Sequence, residues 1–118
     1  MLLPTSTLPR AVLAAAALAV LSAWAPPSDA ADGVAARKLA RKESCLRCHA
    51  VDKKKEGPSY QAVAYKYKGQ ADATDKLVQH ITADNKVKLS DGHEEFHKIT
   101  KTKDLEQVRN LIVWILSQ

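Results

Sequence analysis

The residues best suited to chemistry lie in one five-residue stretch, Cys45-Leu46-Arg47-Cys48-His49. Two thiols three positions apart, followed at once by an imidazole, form the C-x-x-C-H pattern of covalent haem attachment. On one helical turn both sulfurs can reach the two vinyl groups of a single porphyrin, and the next side chain then lies under the iron. The pattern therefore predicts one covalent haem c, bound through Cys45 and Cys48, with His49 on the iron.

Other uses of a C-x-x-C pair fit this chain less well. A thiol-disulfide redox site normally follows a β-strand at a helix N-terminus, and no strand is predicted before Cys45. A zinc knuckle needs two further Cys or His residues at suitable spacing. A plain disulfide would leave His49 unexplained, so the haem interpretation is favoured.

A second motif, His93-Glu94-Glu95-Phe96-His97, matches the H-E-x-x-H pattern of zinc peptidases. Gly92 interrupts any long helix before it, and no His or Cys follows it as a third ligand. A peptidase cleft also needs more chain than this domain offers. We therefore give the zinc interpretation little weight and expect an electron-transfer protein rather than an enzyme.

The N-terminal segment has the features of a secretory signal. After a basic start, Ala11–Ala25 forms an apolar run whose helix would be about 22 Å long, short of the roughly 30 Å of a bilayer core. We predict cleavage after Ala30, which gives a signal peptide over residues 1–30 and one small domain over residues 31–118. A retained membrane anchor is the alternative.

Apolar residues at helical spacing predict four short helices, over Val34–Lys42, from Pro58 to Tyr67, from Asp72 or Thr74 onward, and after Asp104. Gly69 should end the second helix, and Asp104 with Gln107 resembles a capping box. Residues 84–92 have a loop-like composition, and residues 92–103 are ambiguous. The expected fold is all-α. The last helix should bury one apolar face, formed by Leu105, Val108, Leu111, Ile112, Ile115 and Leu116.

The mature chain resembles the small bacterial class I cytochromes c of the periplasm. The resemblance rests on CLRCHAVDKKKEGPSYQAVAYKYKGQ, residues 45–70, and on Val113-Trp114-Ile115-Leu116 in the closing helix. It implies a fold of four or so short helices wrapped around one covalent haem. It also implies that His49 is the proximal ligand and that the Pro58 carbonyl accepts the Nδ1 hydrogen of His49.

The chain departs from that family at the second axial ligand. Most members use a methionine sulfur before the last helix, whereas the one methionine here is Met1. Counted back from Trp114, the family position falls at Lys98 or His97, and a lysine is normally protonated. We expect His97 as the distal ligand, with His93 as the runner-up and His80 third.

These ligands predict a periplasmic one-electron carrier with a low midpoint potential, because methionine ligation is what raises the potential of cytochromes c. The alternative is an open distal site that binds NO, CO or O2. A third possibility is a subunit of a larger redox complex or a homo-oligomer. The net charge of +5 favours acidic protein partners or an anionic membrane surface over nucleic acid. The lysines available to surround the haem crevice and bind such a surface are Lys53, Lys54, Lys55, Lys66, Lys68, Lys98, Lys101 and Lys103.

Overall fold

The computed structural model describes residue 2 and residues 30–118. The predicted signal peptide therefore lies almost wholly outside the described residues. The helices are α1 (Gly33–Lys42), α2 (Tyr60–Tyr67), α3 (Ala73–Thr82) and α4 (Leu105–Leu116), with a 3₁₀ turn at Cys45–Arg47 and strands β1 (Lys86–Lys88) and β2 (Glu94–Phe96). Within this part of the chain, no helix is long and apolar enough to cross a membrane.

Side-chain caps begin three of the helices. Asp32 accepts hydrogen bonds from the Val34 and Ala35 amides, and Ser59 accepts one from the Ala62 amide at 3.0 Å. At α4, Asp104 accepts from the backbone amides of Glu106 and Gln107. The Gln107 side chain bonds the Asp104 carboxylate at 3.0 Å and not the backbone amide, so the predicted capping box is present only in its Asp104 half.

Helix α4 forms the centre of the core, because α1, α2 and α3 all pack against it. The three largest fully buried side chains are Val108, Leu111 and Ile112. The first residue of α4, Leu105, is 59% exposed, so its predicted place on the apolar face is wrong. Leu105 lies at the N-terminal end of α4, outside the packed core. The core partners from the other helices are Ala36, Leu39, Ala40, Tyr60 and Leu77.

Two polar contacts tie distant parts of the chain across this core. The Asp32 amide donates to Asn110 Oδ1 at 2.8 Å, and Asn110 Nδ2 donates back to the Asp32 carbonyl at 3.0 Å. The buried carboxylate of Glu43, just after α1, accepts the amides of Lys101 and Thr102 at 2.7 and 3.1 Å. Both ends of α1 are thus held to the C-terminal part of the chain.

The segment between α3 and α4 contains a small antiparallel hairpin, with Lys86 opposite Phe96 and Lys88 opposite Glu94. The sequence analysis predicted a loop over residues 84–92, left residues 92–103 ambiguous and predicted no strand, so the loop is wrong for Lys86–Lys88 and the absence of a strand is wrong for both segments. The strands have three residues each and bury almost nothing, so they leave no alternating apolar pattern. Their turn contains Gly92 at a φ of 93°. The fold class is nevertheless confirmed as all-α.

Candidate haem site

The two thiols lie on the 3₁₀ turn that follows α1 directly. Ser44 enters this turn at a φ of 62°, in the left-handed region, and reverses the chain after the helix. The amides of Cys48 and His49 both donate to the Cys45 carbonyl, at 3.2 and 3.0 Å. The two cysteines do not form a disulfide, and Cys45 is partly buried while Cys48 is exposed. Before haem attachment, burial, followed by the nearby Glu43 charge, raises the pKa of the Cys45 thiol.

His49 is held from two sides by the segment that follows the charged loop. Its Nδ1 lies 2.6 Å from the Pro58 carbonyl oxygen. A carbonyl oxygen only accepts hydrogen bonds, so Nδ1 carries the proton and Nε2 keeps a free lone pair. The ring also stacks on Tyr60, with centroids 5.5 Å apart. His49 therefore has the tautomer and the fixed orientation that a metal ligand needs.

Gly57 makes room for this imidazole. A Cβ built at Gly57 would lie 2.5 Å from His49 Cε1 and 2.9 Å from Nδ1, closer than side-chain atoms can approach. The glycine before Pro58 is thus required by the ring itself. The close approach of Gly57 to His49 could not be read from residue spacing.

His97 lies near His49, at the end of the hairpin. Its Nδ1 lies 2.9 Å from the Lys98 carbonyl oxygen, which leaves Nε2 with a free lone pair here too. Its ring centroid is 6.2 Å from that of His49. Burial lowers the pKa of His97, although the hydrogen bond to Lys98 opposes this shift. The imidazole is therefore kept neutral, the form that binds iron.

The other two candidate histidines differ in position. His80, ranked third from the sequence, contacts His97 with ring centroids 4.4 Å apart, and burial together with His97 lowers its pKa. His93 is exposed, with Nδ1 2.5 Å from Asp91 and Nε2 3.7 Å from Glu95. The structure brings His49, His80 and His97 together and leaves the runner-up, His93, outside this group.

The zinc motif has no suitable geometry. His93 and His97 flank the extended strand β2, and residues four apart on a strand are separated by about 13 Å. The motif requires both imidazoles on one face of a helix. Among the described residues, no group of three or more His, Cys, Asp or Glu side chains could hold a metal ion.

The separation of the His49 and His97 rings is compatible with an iron bound between them. Two imidazoles that bind one metal ion from opposite sides, each through a nitrogen at about 2 Å, have ring centres roughly 6 Å apart. The observed distance is 6.2 Å, and each ring keeps its Nε2 free. Two thiols on a turn, an oriented imidazole beside them and a second imidazole opposite together suit a covalent haem.

These features define a small helical protein with a c-type haem site, and comparison with known proteins identifies its family. The family model Cytochrome c matches residues 34–118, so the chain belongs to the cytochrome c family. Cytochrome c2 of Rhodocyclus tenuis is 38% identical over 80 residues, which cover 67% of this chain and 87% of that protein.

Two solved structures resemble this fold. The class 1 cytochrome MtoD from Sideroxydans lithotrophicus ES-1 superposes with a TM-score of 0.72 at 52% identity, covering 75% of this chain and 97% of that one. Cytochrome c552 of Nitrosomonas europaea gives a TM-score of 0.57 at 27% identity, over 69% of this chain and 96% of that one. The protein is therefore a monohaem class I cytochrome c with one covalent haem c, an electron carrier and not an enzyme.

The contact between Gly57 and His49 can be tested with Gly57→Ala. The added methyl group must displace the His49 imidazole, which should change the haem spectrum and lower the stability of the haem protein by about 1–3 kcal/mol. Optical spectra of the ferric and ferrous protein and thermal unfolding measure the two effects.

Gly69→Ala is the control, because Gly69 has a φ of 79° but nothing within 4 Å of its Cβ position. It should lower stability through backbone strain and leave the haem spectrum unchanged. Equal spectra for the two variants would contradict the proposed crowding at His49.

Proposed function

We propose that this cytochrome is a periplasmic one-electron carrier with bis-histidine ligation and a low midpoint potential. Cys45 and Cys48 attach the haem, His49 is its proximal ligand and His97 is its distal ligand. The observation that carries the proposal is the pair of imidazoles with ring centres 6.2 Å apart, each with Nδ1 against a backbone carbonyl.

Three observations favour His97 over the other histidines. His93 is exposed and engaged with carboxylates, which leaves it outside the pocket. His80 contacts His97, but its ring has no hydrogen bond among the described residues that would fix its tautomer. His97 has both the backbone contact that orients a ligand and the separation from His49 that a single iron requires.

The residues of this chain tune and protect the cofactor. The bound haem supplies an iron that gains and loses one electron. Pro58 and Lys98 hold the two imidazoles in orientation through their carbonyl oxygens, and burial keeps the His97 imidazole neutral. Two fixed nitrogen ligands limit rearrangement between oxidation states. The lack of a soft thioether ligand removes the preference for ferrous iron, which lowers the potential.

Ligation by His97 is tested by carbon monoxide binding to the ferrous protein. The native protein should bind the gas slowly, because a bound imidazole must leave first, whereas His97→Ala should bind it promptly. Optical spectra with and without carbon monoxide measure this difference. His93→Ala is the control and should behave like the native protein.

Prompt binding by the native protein would support the alternative of an open, gas-binding site. A slow reaction in His97→Ala, combined with a fast one in His80→Ala, would assign the distal position to His80.

The effect of the ligand on potential is tested with His97→Met, which restores the ligand type that most relatives use. Replacing an imidazole by a thioether should raise the midpoint potential by on the order of 100 mV. Potentiometric titration measures it, with His93→Met as the control. A native potential equal to that of His97→Met would contradict the proposal of a low-potential carrier.

Export and docking complete the proposed role. The charged and apolar pattern of residues 1–30 supports a cleaved signal, and N-terminal sequencing of secreted holoprotein would then start at Ala31. Exposed Lys53 and Lys54 follow the haem-binding turn and are suited to an acidic partner surface. Lys55 is less available, because its ammonium donates to the Leu46 carbonyl at 2.6 Å.

Docking through these lysines predicts a salt-dependent reaction. The bimolecular rate constant for electron transfer from an acidic redox protein should fall as ionic strength rises, and it should fall at low salt in the double variant Lys53→Glu, Lys54→Glu. Stopped-flow kinetics measure the rates. Replacing Lys76 by Glu is the control, since Lys76 pairs with Asp72 on α3. Identical rates at low and high salt would exclude this docking mode.

A further inference from the structure

The backbone of His97 is attached to the end of α3 through one residue, Asn85. The His97 amide donates to the Asn85 carbonyl oxygen at 2.8 Å. Asn85 immediately precedes β1 and His97 immediately follows β2, so this bond closes the open end of the hairpin. The position of the imidazole along the hairpin thus depends on where Asn85 is held.

The side chain of Asn85 fixes its own position against α3. Its Nδ2 donates to the His80 carbonyl at 2.6 Å and to the Ala83 carbonyl at 3.1 Å. Carbonyls in the last turn of a helix have no partner within the helix, so the bond to His80 satisfies a group that would otherwise need water, and the bond to Ala83 holds the residue that follows the helix. An asparagine suits this position because its amide nitrogen has two hydrogens to donate.

The rest of the hairpin offers little other support for His97. The strands are mostly exposed, and the turn at Gly92 is held by the short-range bond from the Gly92 amide to the Leu89 carbonyl. Beyond His97, the Thr100 amide donates to the Ile81 carbonyl at 2.9 Å. This second contact fixes the chain three residues after His97. On the hairpin side of His97, the bond to Asn85 is the contact that attaches the backbone to the end of α3.

We infer that Asn85 is a positioning residue that holds His97 at the haem iron by joining the base of the hairpin to the C-terminal turn of α3. The inference rests on the proposed ligation by His97. Asn85 acts through the backbone: its carbonyl oxygen accepts the His97 amide, and its side-chain amide donates to the His80 and Ala83 carbonyls. Its role is to reduce the freedom of the backbone that carries the ligand, which keeps the imidazole bound for a larger fraction of the time.

The test is the rate of carbon monoxide binding to the ferrous protein with Asn85→Ala. Losing two hydrogen bonds at the base of the hairpin should raise this rate roughly tenfold, towards the rate of His97→Ala. Electron paramagnetic resonance of the ferric protein should also show a more heterogeneous low-spin signal. Asn85→Ser, which keeps one donor, should give an intermediate rate and serves as the test variant if Asn85→Ala does not fold.

Asn110→Ala is the matched control. It also removes an asparagine that makes two backbone hydrogen bonds, but these join α4 to the start of α1. Thermal unfolding should show a loss of stability similar to that of Asn85→Ala, while the carbon monoxide rate stays native.

Three results would overturn the inference. A native rate in Asn85→Ala, or equal acceleration in both asparagine variants, would show that Asn85 has no specific effect on the ligand while leaving ligation by His97 intact. A native rate in His97→Ala would instead refute the ligation itself, and the inference with it.

Discussion

The haem site depends on one kind of contact, a hydrogen bond from a histidine Nδ1 to a backbone carbonyl oxygen. Pro58 provides the carbonyl for His49, and Lys98 provides it for His97. Each bond places a proton on Nδ1, so that Nε2 is the nitrogen left to bind a metal ion. A ring without such a contact could rotate or change tautomer, so these two bonds hold both histidines in the orientation that the proposed ligation requires.

The scaffold holds the two histidines through separate parts of the chain. His49 belongs to the N-terminal half, where Gly57 and Tyr60 enclose its ring. His97 belongs to the segment between α3 and α4. Helix α4 packs against α1 and α2 in the N-terminal half and against α3, which precedes the segment that carries His97. The Glu43 carboxylate also joins the end of α1 to the backbone at Lys101. The distance between the two imidazoles is therefore set by the packing of the whole domain.

Much of this could be predicted from the sequence, because the strongest signals are local. The C-x-x-C-H stretch, the helix-capping Asp104 and the helix-ending Gly69, which has a φ of 79°, each act through their nearest neighbours. The hairpin could not be predicted, since its strands are too short and too exposed to leave a periodic pattern. The contacts of Gly57 with His49 and of His80 with His97 were missed because they depend on three-dimensional proximity and not on spacing.

The hairpin has a further consequence for how such a domain can diversify. Its base bears the histidine that faces His49, while its tip, around Asp91 and Gly92, is exposed and mostly bonded to itself. Among the described residues, one side-chain hydrogen bond joins the hairpin tip to another segment, from the Ser90 hydroxyl to the Glu56 carboxylate. Length changes at the tip need not disturb the pocket, so insertions there could give related proteins new recognition loops on an unchanged electron-transfer centre.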